Sequence, residues 1–137
     1  MKVVVVGGVA GGMSFAARAR RLAENAEIVV LERDPYVSYA NCGLPYYLAD
    51  EITDRDSLLL HTPQSLAATL ALDVRTGHEV LEVDAAAHQV RVRERATGRE
   101  YTEAYDALVL STGAAPVIPP LPGVDVHHLS LIHISEP

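Results

Sequence analysis

The N-terminal 32 residues most constrain the fold, because they place a glycine-rich turn between a buried strand and a helix. Residues 3–6 are all valine, and a continuous β-branched run is typical of a strand covered on both faces. Residues 11–24 predict a helix rich in small side chains, and residues 27–32 predict a second buried strand. Strand, turn, helix and strand within about 30 residues form a βαβ unit, which requires a parallel sheet with a right-handed crossover.

The turn has the composition of a phosphate-binding loop. Gly7 and Gly12 occupy the first and third glycine positions of the G-x-G-x-x-G pattern, and Val9 occupies the second. The N-terminus of the following helix offers free N–H groups and a positive dipole to an anion. Glu32 ends the second strand, where an acid can bind ribose hydroxyls. We therefore predict a dinucleotide site formed by Gly7, Gly8, Val9, Ala10, Gly11, Gly12 and Glu32.

An antiparallel meander is predicted to interrupt this parallel fold. Residues 79–84 and 89–93 alternate between polar and apolar side chains, and a third short strand follows near Tyr101. We expect this meander to face solvent. Before it, residues 63–71 predict a helix that has Thr62 as its N-cap.

Residues 107–110 return to a buried strand, and ligands of doubly wound sheets collect where such strands end. Thr112 and Gly113 follow this strand, so we predict that they form a second contact with the dinucleotide. The fold class is therefore α/β: a Rossmann-like parallel sheet of the dinucleotide-binding (FAD/NAD(P)) type, with an inserted antiparallel β-meander, and the turn alone does not say which dinucleotide is bound. We assign residues 1–125 to this domain. Residues 126–137 continue no element, and this atypical tail resembles translated sequencing-adapter sequence.

The composition argues against several classes of function. A net charge of −7 opposes nucleic-acid binding, which needs a basic surface. No apolar run approaches the ~18 residues that span a bilayer, and no signal peptide is visible, so we expect a cytoplasmic protein with no membrane partner. The tail contains His127, His128 and His133, but no cysteine or acid lies at ligand spacing from them. We predict no metal site.

Cys42 is the only cysteine of the chain. It cannot form an internal disulfide, so it is either a buried apolar residue or a reactive thiol. The segment 38–48 follows the second strand and brings Cys42 to the sheet edge where the glycine-rich turn lies. A short helix that starts near Gly43 would favour the thiolate anion at its N-terminus.

The first helix also has a polar stripe. Ser14, Arg18 and Arg21 are spaced i, i+4 and i+7, so they share one face. Two interpretations stand: the stripe is ordinary solvated surface, or it is a phosphate or carboxylate clamp near the mouth of the cysteine site.

Three separated motifs resemble a known family: residues 7–12, residues 38–47 around Cys42, and residues 105–116, which read Tyr-Asp-Ala-Leu-Val-Leu-Ser-Thr-Gly-Ala-Ala-Pro. In this order they resemble the N-terminal part of the FAD-dependent pyridine nucleotide–disulfide oxidoreductases. Within these, the chain is most similar to the single-cysteine branch, the coenzyme A-disulfide and persulfide reductases. Val9 in place of the second glycine also occurs in that branch.

The resemblance implies an FAD-dependent NAD(P)H oxidoreductase that reduces coenzyme A disulfide, or a related disulfide or persulfide, through the redox-active Cys42. It implies NAD(P)H bound by a second domain, a homodimer for the full-length enzyme and an inactive fragment for the 137-residue chain alone. Further cofactor contacts are implied at Arg33 and Val80. Contacts with a small-molecule thiol or disulfide are implied at Ser14, Arg18, Arg21, Ser38 and Asn41.

NADH oxidases and NADH peroxidases, the nearest relatives of that branch, form one alternative. They typically carry a histidine in the glycine-rich turn, where this chain has Val9 and Ala10, and this difference favours disulfide or persulfide chemistry. A second alternative is a non-catalytic FAD-binding fragment. Some reductases have a basic residue for coenzyme A near the position of Leu70, and this chain has none, so other low-molecular-weight thiols stand beside coenzyme A as substrates.

Overall fold

The computed structural model describes residues 1–115, which contain seven strands and three α-helices. In chain order they are β1 (Lys2–Val6), α1 (Ala10–Leu22), β2 (Glu27–Glu32), α2 (Leu44–Leu48), α3 (Pro63–Leu70), β3 (Asp73–Thr76), β4 (His78–Asp84), β5 (Gln89–Glu94), β6 (Glu100–Ala104) and β7 (Ala107–Leu110). Short 3₁₀ turns cover Asn41–Gly43 and Arg55–Leu58. The end of the predicted domain, 116–125, and the tail, 126–137, lie outside the described residues.

Four strands form a parallel sheet in the order β3-β2-β1-β7. β1 lies inside the sheet, where Val4 is opposite Val29 of β2 and Leu108 of β7. Because these strands are parallel, their carboxyl ends meet at one edge of the sheet, and the glycine-rich turn leaves β1 at that edge. The predicted α/β class and the βαβ unit at the N-terminus are confirmed.

Each face of the sheet has its own core, because successive side chains of a strand point to opposite faces. Val3 and Val5 of β1 pack with Met13 of α1 and Leu66 of α3, among others. The predicted α3 is confirmed, and Thr62 and Ser65 cap it reciprocally through hydrogen bonds of 3.0 and 3.1 Å.

The meander covers the opposite face of the sheet. Its strands pair in the order β4-β5-β6, as predicted. The expectation that it faces solvent was wrong for one of its two faces: Val90 and Val92 are completely buried and pack with Val4 and Val29. Period-two alternation gives β5 one apolar side, and that side closes the sheet, whereas Arg91 and its polar neighbours stay outside.

A cluster of charges joins the meander to the parallel sheet. Glu103 of β6 is buried, and it pairs with Lys2 of β1 at 2.6 Å and with Arg75 of β3. Arg75 also pairs with Asp73 and donates a hydrogen bond to the Tyr101 hydroxyl. Burial alone would raise the pKa of Glu103, but the hydrogen bonds from Lys2 and Arg75 outweigh it and hold this pKa below its ordinary value.

We expect Glu103→Gln to lower the free energy of unfolding by about 1–3 kcal/mol, because two cations lose their charged acceptor. The contribution of Glu103 is complete above the unfolded pKa of about 4.3, and it is lost as the pH falls through the lower folded pKa. In urea unfolding, the difference between wild type and Glu103→Gln should be constant near neutral pH and shrink below about pH 4.

Glu100→Gln is the matched control, because Glu100 lies on the same strand and also pairs with two cations, Arg91 and Arg93, but at the exposed surface. We expect a smaller loss from Glu100→Gln, and added salt should abolish it. Equal losses from the two substitutions, or a Glu103→Gln effect that persists unchanged in acid, would contradict the role given to Glu103.

Candidate cofactor site and cysteine loop

A cleft of about 490 Å³ opens at the carboxyl ends of the parallel strands. Its walls are the ends of β1 and β2, the segment after β7 and the start of β4. The lining residues are Val6, Gly7, Val9, Leu31, Glu32, Arg33, Asp34, Pro35, Tyr36, Tyr39, Asn41, His78, Glu79, Val80, Ser111, Thr112, Gly113 and Ala114. Doubly wound sheets bind their ligands at this position, and the volume is that of a small-molecule site.

The glycine-rich turn is packed so closely that two positions admit only glycine. Gly7 has a φ of +97°, and a Cβ there would lie 2.1 Å from the carbonyl oxygen of Ser111. A Cβ on Gly12 would lie 1.8 Å from the carbonyl oxygen of Gly7. The end of β7 and the first turn of α1 therefore close on the turn from both sides. What the turn presents to the cleft is backbone, which is how a pyrophosphate can approach closely.

Helix α1 begins directly behind this turn and lacks a side-chain cap. Val9 stands at the N-cap position and has no side-chain acceptor, and the first turn contains no acid. The first N–H groups of an α-helix have no partner within the helix, and with the helix dipole they attract an anion. Both Gly7 and Val9 line the cleft. These residues fit the phosphates of a dinucleotide.

Glu32 supplies a buried carboxylate at the end of β2, with 6% of the residue exposed. Its Oε2 accepts the N–H of Gly8 at 2.7 Å, and its Oε1 accepts the N–H of Asp34 at 2.9 Å. An ionised carboxylate offers about four acceptor sites. Two acceptor sites therefore remain, and a ligand in the cleft can donate hydrogen bonds to them. A ribose diol has the two hydroxyl donors that would complete this set.

The cysteine loop, residues 38–43, is held against the turn by its backbone. The N–H of Ser38 donates to the carbonyl oxygen of Gly8 at 2.9 Å. Asn41 lines the cleft, and Cys42 follows it in the 3₁₀ turn that leads into α2. The thiol of Cys42 is free and exposed, which rules out the interpretation as a buried apolar residue.

The predicted cofactor residues divide into two groups. Those that line the cleft are Gly7, Val9, Glu32, Arg33, Val80, Thr112 and Gly113. The others do not line it: Gly8 lies in the turn, and Ala10, Gly11 and Gly12 form the start of α1. Their contacts with a cofactor remain a prediction.

The predicted substrate residues do not gather at one place. Asn41 lines the cleft, and Ser38 is half-buried at the base of the same loop. Ser14, Arg18 and Arg21 are all exposed on α1, and none of them lines the cleft. The shared polar face of α1 is therefore confirmed, and its role as a clamp remains a prediction.

Several lining residues were not predicted from the sequence: Asp34, Tyr36, Tyr39, His78 and Glu79. His78 contacts both sheets: its Nδ1 lies 2.8 Å from the carbonyl oxygen of Thr76 at the end of β3, and its ring is edge-on to Tyr101 of β6. No motif marks Asp34, Tyr36, His78 or Glu79, whereas Tyr39 lies in the 38–47 motif around Cys42. His78 and Glu79 reach the cleft because β4 of the meander folds over the sheet, which a local pattern does not specify.

Within residues 1–115, no helix is long and apolar enough to cross a bilayer. The same part of the chain contains no group of three or more histidine, cysteine or acidic residues that could hold a metal ion. The three histidines of the tail lie outside the described residues.

The chain matches the family described as pyridine nucleotide-disulphide oxidoreductase over residues 1–136, and it belongs to that family. It is 40% identical over 114 residues to the coenzyme A disulfide reductase of Staphylococcus epidermidis strain RP62A, a match that covers 83% of this chain. The chain spans 26% of the length of that relative. The similarity covers the N-terminal part of such proteins.

Three solved structures that are similar to this chain support its assignment to this family. The reduced Bacillus anthracis CoADR-RHD superposes with a TM-score of 0.86 at 47% identity, over 90% of this chain and 22% of that chain. An NAD-dependent persulfide reductase from A. fulgidus gives a TM-score of 0.86 at 36% identity, over 91% of this chain and 23% of that chain. A water-forming NADH oxidase from Lactobacillus brevis gives 0.84 at 32% identity, over 93% of this chain and 28% of that chain.

The close packing around Gly7 predicts that one added methyl group strongly destabilises the fold. We expect Gly7→Ala to lower the free energy of unfolding by roughly 3 kcal/mol or more, because its Cβ would overlap the backbone of Ser111. Gly98→Ala is the control, since Gly98 has a similar φ of +72° but no atom within 4 Å of an added Cβ. Gly98→Ala should cost about 1 kcal/mol. Urea unfolding measures both losses of free energy, and equal losses would contradict the close packing described around Gly7.

Proposed function

We propose that this chain is the FAD-binding, cysteine-bearing part of an NAD(P)H-dependent disulfide reductase. Its substrate is coenzyme A disulfide or a related low-molecular-weight disulfide or persulfide. One observation carries the proposal: the loop of Cys42 is hydrogen-bonded directly to the glycine-rich turn, between Ser38 and Gly8. The similarity to a coenzyme A disulfide reductase and to a persulfide reductase supports this choice of substrate.

The residues of the cleft fit FAD. The backbone of Gly7 and the N-terminus of α1 would hold the pyrophosphate, and Glu32 would hold a ribose. Arg33, Val80, Thr112 and Gly113 line the same cleft and would contact the remainder of the cofactor. Bound FAD would supply a two-electron carrier between NAD(P)H and sulfur.

Cys42 would act as the nucleophile. Its thiolate attacks one sulfur of the substrate disulfide, so a new S–S bond joins Cys42 to one half of the substrate and the other half leaves as a thiolate. Two electrons, delivered from NAD(P)H, then cleave that mixed disulfide and regenerate the Cys42 thiolate with release of the second thiol. The exposure of Cys42 gives a bulky disulfide access to the sulfur.

The polar stripe of α1 would bind the charged part of the substrate. Arg18 and Arg21 make no ion pair or hydrogen bond within residues 1–115, so both guanidinium groups can pair with phosphate. Ser14 lies on the same face, and Ser38 and Asn41 of the cysteine loop would contact the part of the substrate nearer the thiol.

The full-length enzyme would be a homodimer with a further domain for NAD(P)H. The 137-residue chain alone would then bind FAD without being reduced by NAD(P)H, and it would be inactive as a reductase. An NADH oxidase is the second candidate, favoured by the similarity to the Lactobacillus brevis enzyme. Steady oxygen consumption by the full-length protein in the absence of any disulfide would favour the oxidase.

We expect Cys42→Ser in the full-length protein to lower NAD(P)H-dependent disulfide reduction by roughly 10³-fold or more, because a hydroxyl cannot form the mixed disulfide. The flavin absorbance of the purified variant should equal that of wild type, which shows that the cofactor site is intact. Disulfide reduction that survives Cys42→Ser, with flavin bound, would show that the proposed mechanism is wrong.

A further inference from the structure

Both backbone polar groups of Gly8 are engaged, and they point to different parts of the site. The N–H of Gly8 donates to the buried carboxylate of Glu32 at 2.7 Å. The carbonyl oxygen of Gly8 accepts the N–H of Ser38 at 2.9 Å. Gly8 therefore connects the carboxylate that closes β2 with the first residue of the cysteine loop.

Gly8 is also in close steric contact with that loop. A Cβ on Gly8 would lie 2.8 Å from Cγ1 of Val37 and 3.2 Å from Cβ of Glu32. Val37 is buried and directly precedes the cysteine loop. Any displacement of Gly8 toward Val37 must therefore move the base of the loop or force Val37 out of its packing.

The backbone at the base of the loop adopts a conformation that serine rarely has on its own. Ser38 has a φ of +50°, in the left-handed region that residues with a side chain rarely adopt. Two hydrogen bonds hold it there: its N–H donates to Gly8, and its carbonyl oxygen accepts the N–H of Leu60 at 3.2 Å. The direction in which the chain continues toward Cys42 thus depends on the position of Gly8.

We propose that Glu32 and Gly8 are positioning residues for Cys42: Glu32 fixes Gly8, and Gly8 fixes Val37 and Ser38 at the base of the cysteine loop. This inference rests on the proposed function, because the Glu32 carboxylate that would hold the FAD ribose would also help to position the Cys42 thiol. Both residues would act on the sulfur of Cys42 indirectly, through the backbone. Occupation of the ribose site and placement of the nucleophile are therefore coupled through one backbone segment.

The test uses the full-length, flavin-loaded enzyme with coenzyme A disulfide as substrate. We expect Gly8→Ala to lower kcat per bound flavin by roughly tenfold or more, since displacements of about 1 Å have such effects on placed reacting groups. The KM for the disulfide should change less than kcat, because Arg18 and Arg21 on α1 are untouched and only the contacts of Ser38 and Asn41 shift with the loop. The rate at which iodoacetamide modifies Cys42, followed by mass spectrometry of its peptide, should also differ from wild type.

A compensating substitution separates positioning from general damage. Val37→Ala removes the Cγ1 that an alanine at position 8 would strike, so Gly8→Ala/Val37→Ala should recover most of the lost kcat. Val37→Ala alone should lose much less kcat than Gly8→Ala, because the hydrogen bonds of Gly8 to Glu32 and Ser38 remain, although urea unfolds it earlier because of the cavity. If Gly8→Ala does not fold or binds no flavin, Val37→Leu enlarges the other side of the same contact and should lower kcat in the same way.

Two results would overturn the inference. The first is a wild-type kcat and a wild-type modification rate in folded, flavin-loaded Gly8→Ala or Val37→Leu. The second is an equal loss of kcat in Gly8→Ala and the double variant while Val37→Ala keeps most of its kcat. The first would show that Gly8 does not set the position of Cys42, and the second that it does not act through Val37. The Cys42→Ser result distinguishes these failures from failure of the proposed function, because it tests the thiol chemistry without altering Gly8.

Discussion

The close contact between backbone segments at the end of β1 governs the rest of the site. Gly7 lies against the carbonyl of Ser111, and Gly12 lies against the carbonyl of Gly7, with no space for a methyl group at either contact. This packing requires β1, β7 and α1 to meet at one point, which the parallel sheet provides. It also leaves the N-terminus of α1 uncapped beside the cleft. The turn therefore presents backbone rather than side chains to the cleft, as a phosphate-binding turn requires.

Two buried carboxylates serve the site in different ways because their partners differ. Glu103 is paired with the cations Lys2 and Arg75, so its charge is neutralised within the fold and it fastens the meander to the sheet. Glu32 accepts hydrogen bonds from two neutral backbone N–H groups, and the remaining acceptor sites of its carboxylate are available to a ligand in the cleft. A meander fixed through Glu103 brings His78 and Val80 to the cleft that Glu32 also lines. The position of the meander therefore affects both the stability of the fold and the shape of the cleft.

The sequence predicted the elements that carry strong local signals, and it failed where placement depends on distant contacts. The valines of β1, the glycines after it and the capping residue Thr62 each indicate their own structure. β3 was not predicted, because it is a four-residue edge strand that begins with Asp73 and includes Arg75, with no apolar run to mark it. The positions of Tyr39 and His78 in the cleft follow from tertiary packing alone. Cys42 could be placed near the turn by chain order, but the hydrogen bond between Ser38 and Gly8 could not be anticipated.

Titration of the full-length apoprotein with FAD, followed by flavin fluorescence, tests most directly whether this turn and its carboxylate form the cofactor site. Wild type should bind one FAD per chain, and Glu32→Gln should bind it about tenfold to a hundredfold more weakly, because hydrogen bonds to a charged acceptor are lost. Glu79→Gln, which alters another carboxylate of the cleft, should change the affinity little. Failure of the folded wild type to bind FAD, or equal affinities for wild type and Glu32→Gln, would contradict the account.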